Sequence, residues 1–212
     1  MFTGIITAVG TIREVTRQGD LHAVIACPYD PAQIAIGASI ACSGVCLTVV
    51  ERGVLRQAQD GRVLESWFAV DISGETVSRT AQDQWRAGRQ LNLEQAMKLG
   101  DELGGHIVTG HVDAVGRITA REEVGGSIRL SVTTPAEIAP FIAAKGSITV
   151  DGVSLTVNAI TDHADGTMDF ELNIIPHTAE VTTIGKLQSG DPVNLEIDVL
   201  ARYLQRMQSL RG

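Results

Sequence analysis

Aromatic side chains are scarce, with four Phe, two Trp and two Tyr in 212 residues, so any stacking surface must be local. Basic residues are also outnumbered: 17 Lys and Arg stand against 25 Asp and Glu, for a net charge of −8. That balance argues against a nucleic acid or an anionic membrane as partner, because both need basic patches. It says little about small neutral ligands. Cysteine is limited to Cys27, Cys42 and Cys46. An odd number at irregular spacing gives no disulfide framework, and the absence of a CxxC pair gives no zinc signature. A reduced, cytoplasmic protein is the expectation. No apolar run approaches membrane-spanning length. The opening MFTGIITAVG has neither a basic region nor a long apolar stretch, so no secretory leader is expected. Apolar residues as a class are plentiful at 44%, enough for one or two ordinary cores.

The sequence does contain itself twice. Residues 3–10 read TGIITAVG and residues 109–116 read TGHVDAVG; 39–49 read SIACSGVCLTV and 147–157 read SITVDGVSLTV; 88–94 read GRQLNLE and 190–196 read GDPVNLE. The three blocks keep their order in both halves. A period near 100 residues is too long for a solenoid and points to two similar domains. The offset shrinks toward the C-terminus because residues 52–66 form a longer connection than residues 162–168.

Within each copy the signals favour strands. Ile5–Ile12, Ala23–Cys27, Ser39–Val50, Val63–Val70 and Leu91–Leu93 are short apolar or alternating segments, punctuated by glycines at 37, 44, 53, 61 and 88. Short helices are expected over Thr76–Gln82 and Thr178–Ile184, and the join lies near Gly100–Gly105. Many short strands at this spacing suggest one small antiparallel barrel per copy. At the C-terminus, Ile197, Leu200, Leu204 and Met207 form a heptad-like stripe on an amphipathic helix. Such a helix either packs on its own barrel or joins a bundle of copies. The domains are read as 1–97, 98–196 and a terminal helix over 197–212.

The motifs carry a resemblance. The opening Met1-Phe2-Thr3-Gly4-Ile5, the segment GASIACSGVCLTV at 37–49, GDELGGHIVTGHVD at 100–113, KGSITVDGVSLTVN at 145–158, IIPHT at 174–178 and VNLEIDVLARY at 193–203 are together similar to riboflavin synthases, over nearly the whole chain. Arg202 stands where that family is expected to carry lysine. The resemblance implies two six-stranded Greek-key barrels plus a C-terminal helix. It also implies a homotrimer in which the N-terminal barrel of one chain faces the C-terminal barrel of its neighbour. The implied reaction is the dismutation of two 6,7-dimethyl-8-ribityllumazine molecules, a transferase activity with no metal and no organic cofactor. Lumazine synthase, as an enclosing shell, is a further partner the resemblance suggests. The rival reading is a lumazine- or flavin-binding protein of the same fold that performs no synthesis; such proteins bear altered residues in one barrel, whereas both signatures are kept here.

One lumazine must donate a four-carbon unit and the other accept it, so positions at which the copies differ in a titratable group are informative. Cys46 aligns with Ser154, Ser43 with Asp151, Ile5 with His111, and Glu75 with His177. Cys46 is either a small buried hydrophobe or a nucleophile or acid–base group. His111 is either a structural histidine or a proton carrier. His106 lacks companions for a metal site, and in a strand a spacing of five would put it on the face opposite His111. His22 and His163 read as solvated. The resemblance implies catalysis by Cys46, His111 and Ser154. Substrate contacts are expected from Phe2, Gly4, Ile5 and Ile6; from Cys46, Leu47 and Thr48; from Asp71, Ile72, Ser73, Gly74, Glu75 and Thr76; from Gly110, His111 and Val112; from Lys145; from Ser154, Leu155 and Thr156; and from Asn173, Ile174, Ile175, Pro176, His177 and Thr178. Phe2 is expected to be ordered despite its terminal position. Hydroxyls and strand backbone can bond a pterin-like ring edge, and the strand-to-helix corners supply polar groups for ribityl hydroxyls.

Overall fold

The computed structural model describes residues 1–57, 63–81 and 83–210. Residues 58–62 of the expected long connection, with Gly61, lie outside the described residues, as do Gln82 and residues 211–212. The first half contains β1 (Ala8–Gln18), β2 (Asp20–Cys27), β3 (Ser39–Cys42), β4 (Val45–Gln57), β5 (Val63–Ile72), α1 (Gly74–Arg79) and β6 (Gln90–Gln95). The second half repeats the series as β7 (Ala114–Val124), β8 (Ser127–Thr134), β9 (Ser147–Val150), β10 (Val153–Asp162), β11 (Met168–Ile174), α2 (Pro176–Val181) and β12 (Pro192–Ile197), and α3 (Val199–Ser209) follows. Each half closes into a six-stranded antiparallel barrel, in the order β1-β2-β5-β4-β3-β6 and, equivalently, β7-β8-β11-β10-β9-β12.

The copies share two of their irregularities. A bulge between Ile12 and Glu14 recurs between Ile118 and Ala120, and one between Val49 and Glu51 recurs between Val157 and Ala159. Bulges bend a strand and increase its twist, which is what closing a small barrel demands. Alternate residues fill each interior: Ile25, Phe68, Val70, Ile72 and Leu93 in the first, Val132, Phe170, Leu172, Ile174 and Leu195 in the second. Full burial of each such side chain stabilises by roughly 1.5–3 kcal/mol.

Several expected boundaries move, for local reasons. Ser39–Val50 is two strands, because Ser43 and Gly44 both take positive φ (45° and 82°), as a two-residue type I′ hairpin requires. Asp151 and Gly152 repeat the turn at 44° and 81°. The expected connection 52–66 is largely strand, since β4 runs on to Gln57 and pairs with β5. Helix α1 starts two residues early because the Ser73 hydroxyl accepts from Thr76 N–H as a cap; α2 starts early because Pro176 takes the first turn. Ile197 belongs to β12 and the second core, not to the helical stripe: it pairs with Ile148, and Asp198 caps α3 behind it. Leu200, Leu204 and Met207 are exposed, at 54–66%, so the stripe does not cover its own barrel. Among the described residues no helix is long and apolar enough to cross a membrane.

The barrels meet about an approximate two-fold axis made of repeat-equivalent residues. Phe2 and Val108 exchange both backbone hydrogen bonds, at 2.8 and 3.0 Å. Gly44 and Gly152 approach so closely that a Cβ on Gly44 would lie 2.9 Å from Gly152 N. Asn92 donates to the Asp151 carbonyl and accepts from Thr183 N–H; Asn194 donates to the Ser43 carbonyl and accepts from Ala81 N–H. Each buried amide thus both donates and accepts across the junction, which fixes the mutual orientation of the barrels.

Candidate active site

The segments that precede the two barrels cross over. After Gly4, Ile6 packs against the core of the second barrel; after Gly110, Val112 packs against the core of the first. Each crossing is held by a buried glutamate. The Glu94 carboxylate accepts from Thr3 N–H and Oγ1 (2.7 Å each) and from Gly4 N–H (2.9 Å). Glu196 accepts from Thr109 N–H and Oγ1 (2.6 Å each), Gly110 N–H (2.9 Å) and His111 N–H (3.0 Å). Burial pushes the Glu94 carboxyl up, and the bonds from Thr3 and Gly4 draw it back down.

Thus each candidate surface is assembled from both repeats. On the first, Cys46 N–H donates to Gly110 O at 2.8 Å, which sets His111 and Val112 beside the start of β4. Gly110 holds φ at 78°, and a Cβ there would lie 2.6 Å from the Cys46 Cβ, so only glycine fits. Leu47 is buried in the barrel, while Thr48 is exposed and the Cys46 side chain half-buried. At the barrel corner Asp71, Ser73, Gly74 and Glu75 are exposed, Thr76 is half-buried and Ile72 is core. His22 is not merely solvated: its Nδ1 lies 2.8 Å from an Asp71 carboxylate oxygen. Glu75 bonds Arg79 within α1.

On the second, Ser154 N–H donates to Gly4 O at 2.8 Å, and Gly4 (φ 75°) has the same steric need for glycine against Ser154. Ile5 is exposed and Ile6 half-buried. Leu155 packs on the core, Thr156 is exposed, and Lys145 caps Val157 O from a turn at φ 67°. Asn173, Ile175, Pro176 and His177 form the exposed corner beside half-buried Thr178, with Ile174 in the core. His163, expected to be solvated, lies 3.2 Å from Asp169.

Phe2 is ordered but fully buried, packed with Ala41 and Val108 against Cys46 and Ala96. It supports Cys46 from beneath instead of presenting its ring on the surface. Ser43 and Asp151 lie in the turns on the approximate axis, where they accept from Asn92 N–H (3.1 Å) and Asn194 N–H (2.8 Å). That asymmetric pair is therefore structural. Burial pushes Asp151 up to about 7.

Sequence reasoning missed the role of His106. Residues 106–113 are not a strand, so the opposite-face argument does not apply. The His106 ring is buried, with Nδ1 2.7 Å from Ser154 Oγ and Nε2 3.2 Å from Thr149 Oγ1. Burial pulls its pKa down, opposed by Asp198 and Glu196, which favours the neutral imidazole at neutral pH. With its proton on Nε2, Nδ1 can accept from the Ser154 hydroxyl. Among the described residues the Cys46 thiol has no such imidazole hydrogen bond.

A lumazine binding domain model matches twice, over residues 3–96 and 109–198. The chain is 46% identical to the riboflavin synthase of Brucella abortus, over 98% of each chain, and 43% identical to that of Mycobacterium tuberculosis, over 100% of each. Among solved structures it is similar in fold to LumP complexed with 6,7-dimethyl-8-(1'-D-ribityl) lumazine, with a TM-score of 0.73 at 21% identity, covering 93% of this chain and 99% of that one. Two crossed lumazine-binding barrels, matched end to end with these relatives, make the chain a member of the riboflavin synthase family.

Proposed function

We propose that the protein converts two molecules of 6,7-dimethyl-8-ribityllumazine into riboflavin and 5-amino-6-(D-ribitylamino)uracil by transfer of a four-carbon unit. The observation that carries this reading is a matched pair of surfaces with different chemistry. The same glycine, hydroxyl and corner positions recur on both barrels, while Cys46 and His111 lie at one and the Ser154–His106 hydrogen bond at the other. Equal frameworks suit two identical substrates, and unequal side chains suit a donor and an acceptor.

The chemistry needs a nucleophile to add at C7 of one ring and a base to remove a proton from the acidic C7 methyl of the other. Cys46 is the thiol available for the first, and His111 the exposed imidazole for proton transfer. The neutral His106 ring polarises the Ser154 hydroxyl. The lumazine ring is itself an electron sink, so the residues need supply only addition, proton movement and positioning.

The assembly we propose is a cytoplasmic homotrimer. Thr48, Asp71, Ser73 and His111 on one surface, and Ile5, Thr156, Asn173 and His177 on the other, are open to solvent on a single chain. A neighbour's complementary barrel would close each over its ligand, and the exposed stripe of α3 would join the chains. The decisive experiment is to incubate the purified protein with the lumazine and follow riboflavin absorbance. One riboflavin per two lumazines consumed is expected. Tight binding of the lumazine without any riboflavin formed would overturn the reading in favour of a binding protein.

A further inference from the structure

The two crossing segments are anchored unequally. Both are gripped by a glutamate, but among the described residues the one that serves the first barrel is alone in being tied to α3 as well. Asp113 follows His111 and Val112 directly. Its N–H donates to Leu195 O at 2.8 Å, and its Oδ2 accepts from Ile197 N–H and from an Arg202 terminal nitrogen, both at 2.9 Å. The pair is sheltered, with Asp113 at 17% and Arg202 at 35% side-chain exposure. Such partial burial strengthens an ion pair over an exposed one. At the equivalent place in the first repeat stands Thr7, whose hydroxyl partners among the described residues are Tyr29 OH and the Leu93 carbonyl, neither of them in a helix.

Segment 109–113 is thus clamped from the β12–α3 junction on two sides, by Glu196 and by the Asp113–Arg202 pair. The same short helix exposes Leu200, Tyr203, Leu204 and Met207 along its length. A helix of 11 residues with no buried residue of its own has its orientation set mainly by its first turn and by whatever covers it.

We propose that Asp113 and Arg202 are positioning residues that transmit the seating of α3 to His111 and Val112, so that the first barrel's substrate surface takes its binding shape only when α3 is docked. This rests on the enzymatic reading above and on α3 as the joining element. The direction of control is specific: among the described residues, segment 3–6 of the second barrel's surface takes its side-chain grip from Glu94 and has no ion pair to α3.

The test uses the full chain with Arg202→Ala, Arg202→Lys, Asp113→Asn and the double variant Asp113→Asn/Arg202→Ala. Steady-state kinetics with the lumazine are paired with sedimentation at the assay concentration. Arg202→Ala should raise KM about 3- to 10-fold with kcat within about twofold, at an unchanged sedimentation coefficient. Arg202→Lys should restore KM to within about twofold, because a single end-on bond is one an ammonium can also make. The double variant should be no worse than the worse single one. An unchanged KM in Arg202→Ala, a loss of activity that merely tracks dissociation, or additive effects in the double variant would each overturn the proposal. Val112→Ala perturbs the segment directly. If it too leaves KM and riboflavin affinity, read by quenching of riboflavin fluorescence, at wild-type values, the placement of the site has failed instead of the coupling.

Discussion

The two barrels share what is hardest to build and part at a few single positions on the candidate surfaces. Strand order, two bulges, the type I′ turn, the crossing glycines and the gripping glutamates are duplicated almost residue for residue. Against that framework stand Cys46 opposite Ser154, Ile5 opposite His111, Glu75 opposite His177, and Thr7 opposite Asp113. Closing a barrel leaves few alternative solutions, so the copies keep one. A surface that binds one ligand in two roles needs two sets of side chains, so there they part. The pair Ser43 and Asp151 is instructive because it differs without touching either surface: a hydroxyl and a carboxyl do the same structural work.

The comparison can be broken at its chemical end first. Cys46→Ser gives the first barrel the second barrel's residue, and turnover should fall about 10²-fold or more with lumazine binding retained, the scale of losing an acid–base or nucleophilic group. The reciprocal Ser154→Cys should cost only about five- to tenfold, the scale of one weakened hydrogen bond of about 1 kcal/mol. Equal losses in stopped-flow turnover would show that the two positions are not chemically distinct.

Its structural end is tested by Gly4→Ala and Gly110→Ala. Each added Cβ would lie 2.6 Å from the facing Cβ at a positive φ. Each should destabilise by about 1–3 kcal/mol, and the two losses in urea melts should match. A large inequality would show that the crossings are not equivalent.

The smallest effect concerns Asp151. Its carboxyl is raised by burial from 3.8 to about 7, so the folded chain holds that proton more tightly than the unfolded chain. The resulting stability is fully present below about pH 3.8 and is lost as pH rises through about 7. Asp151→Ser, which copies Ser43, should therefore raise Tm at pH 8 and not at pH 4. A gain of the same size at both pH values would place the effect in packing, not in ionisation.

Much of this was legible in the sequence because duplication writes local structure twice. The repeat blocks, the strand-like segments and the motif run were sufficient for two barrels and for the family. The crossing of segments 3–6 and 109–112 was not, since it depends on partners such as Thr3 and Glu94, 91 residues apart. A signal was nonetheless present: Asn92 and Glu94 stand unchanged as Asn194 and Glu196 in the NLE blocks while their flanks vary, and both pairs prove to be buried organisers. His106 was set aside for want of companion metal ligands and, further, by assuming a strand; the segment is irregular because residues 109–111 spend their backbone N–H groups on a carboxylate. Phe2 was read correctly as ordered, but a terminal aromatic gives no hint that its mate would be Val108.

The meeting of Phe2 with Val108, its own counterpart, has the form of a handshake between two copies of one repeat, each lending an arm to the other. Two separate polypeptides from a single gene could shake hands in that way, but every substitution would then fall on both. Joining them end to end leaves one copy free to carry cysteine where the other carries serine. The linkage between the barrels is, on this view, what makes a heterodimer available to a single gene.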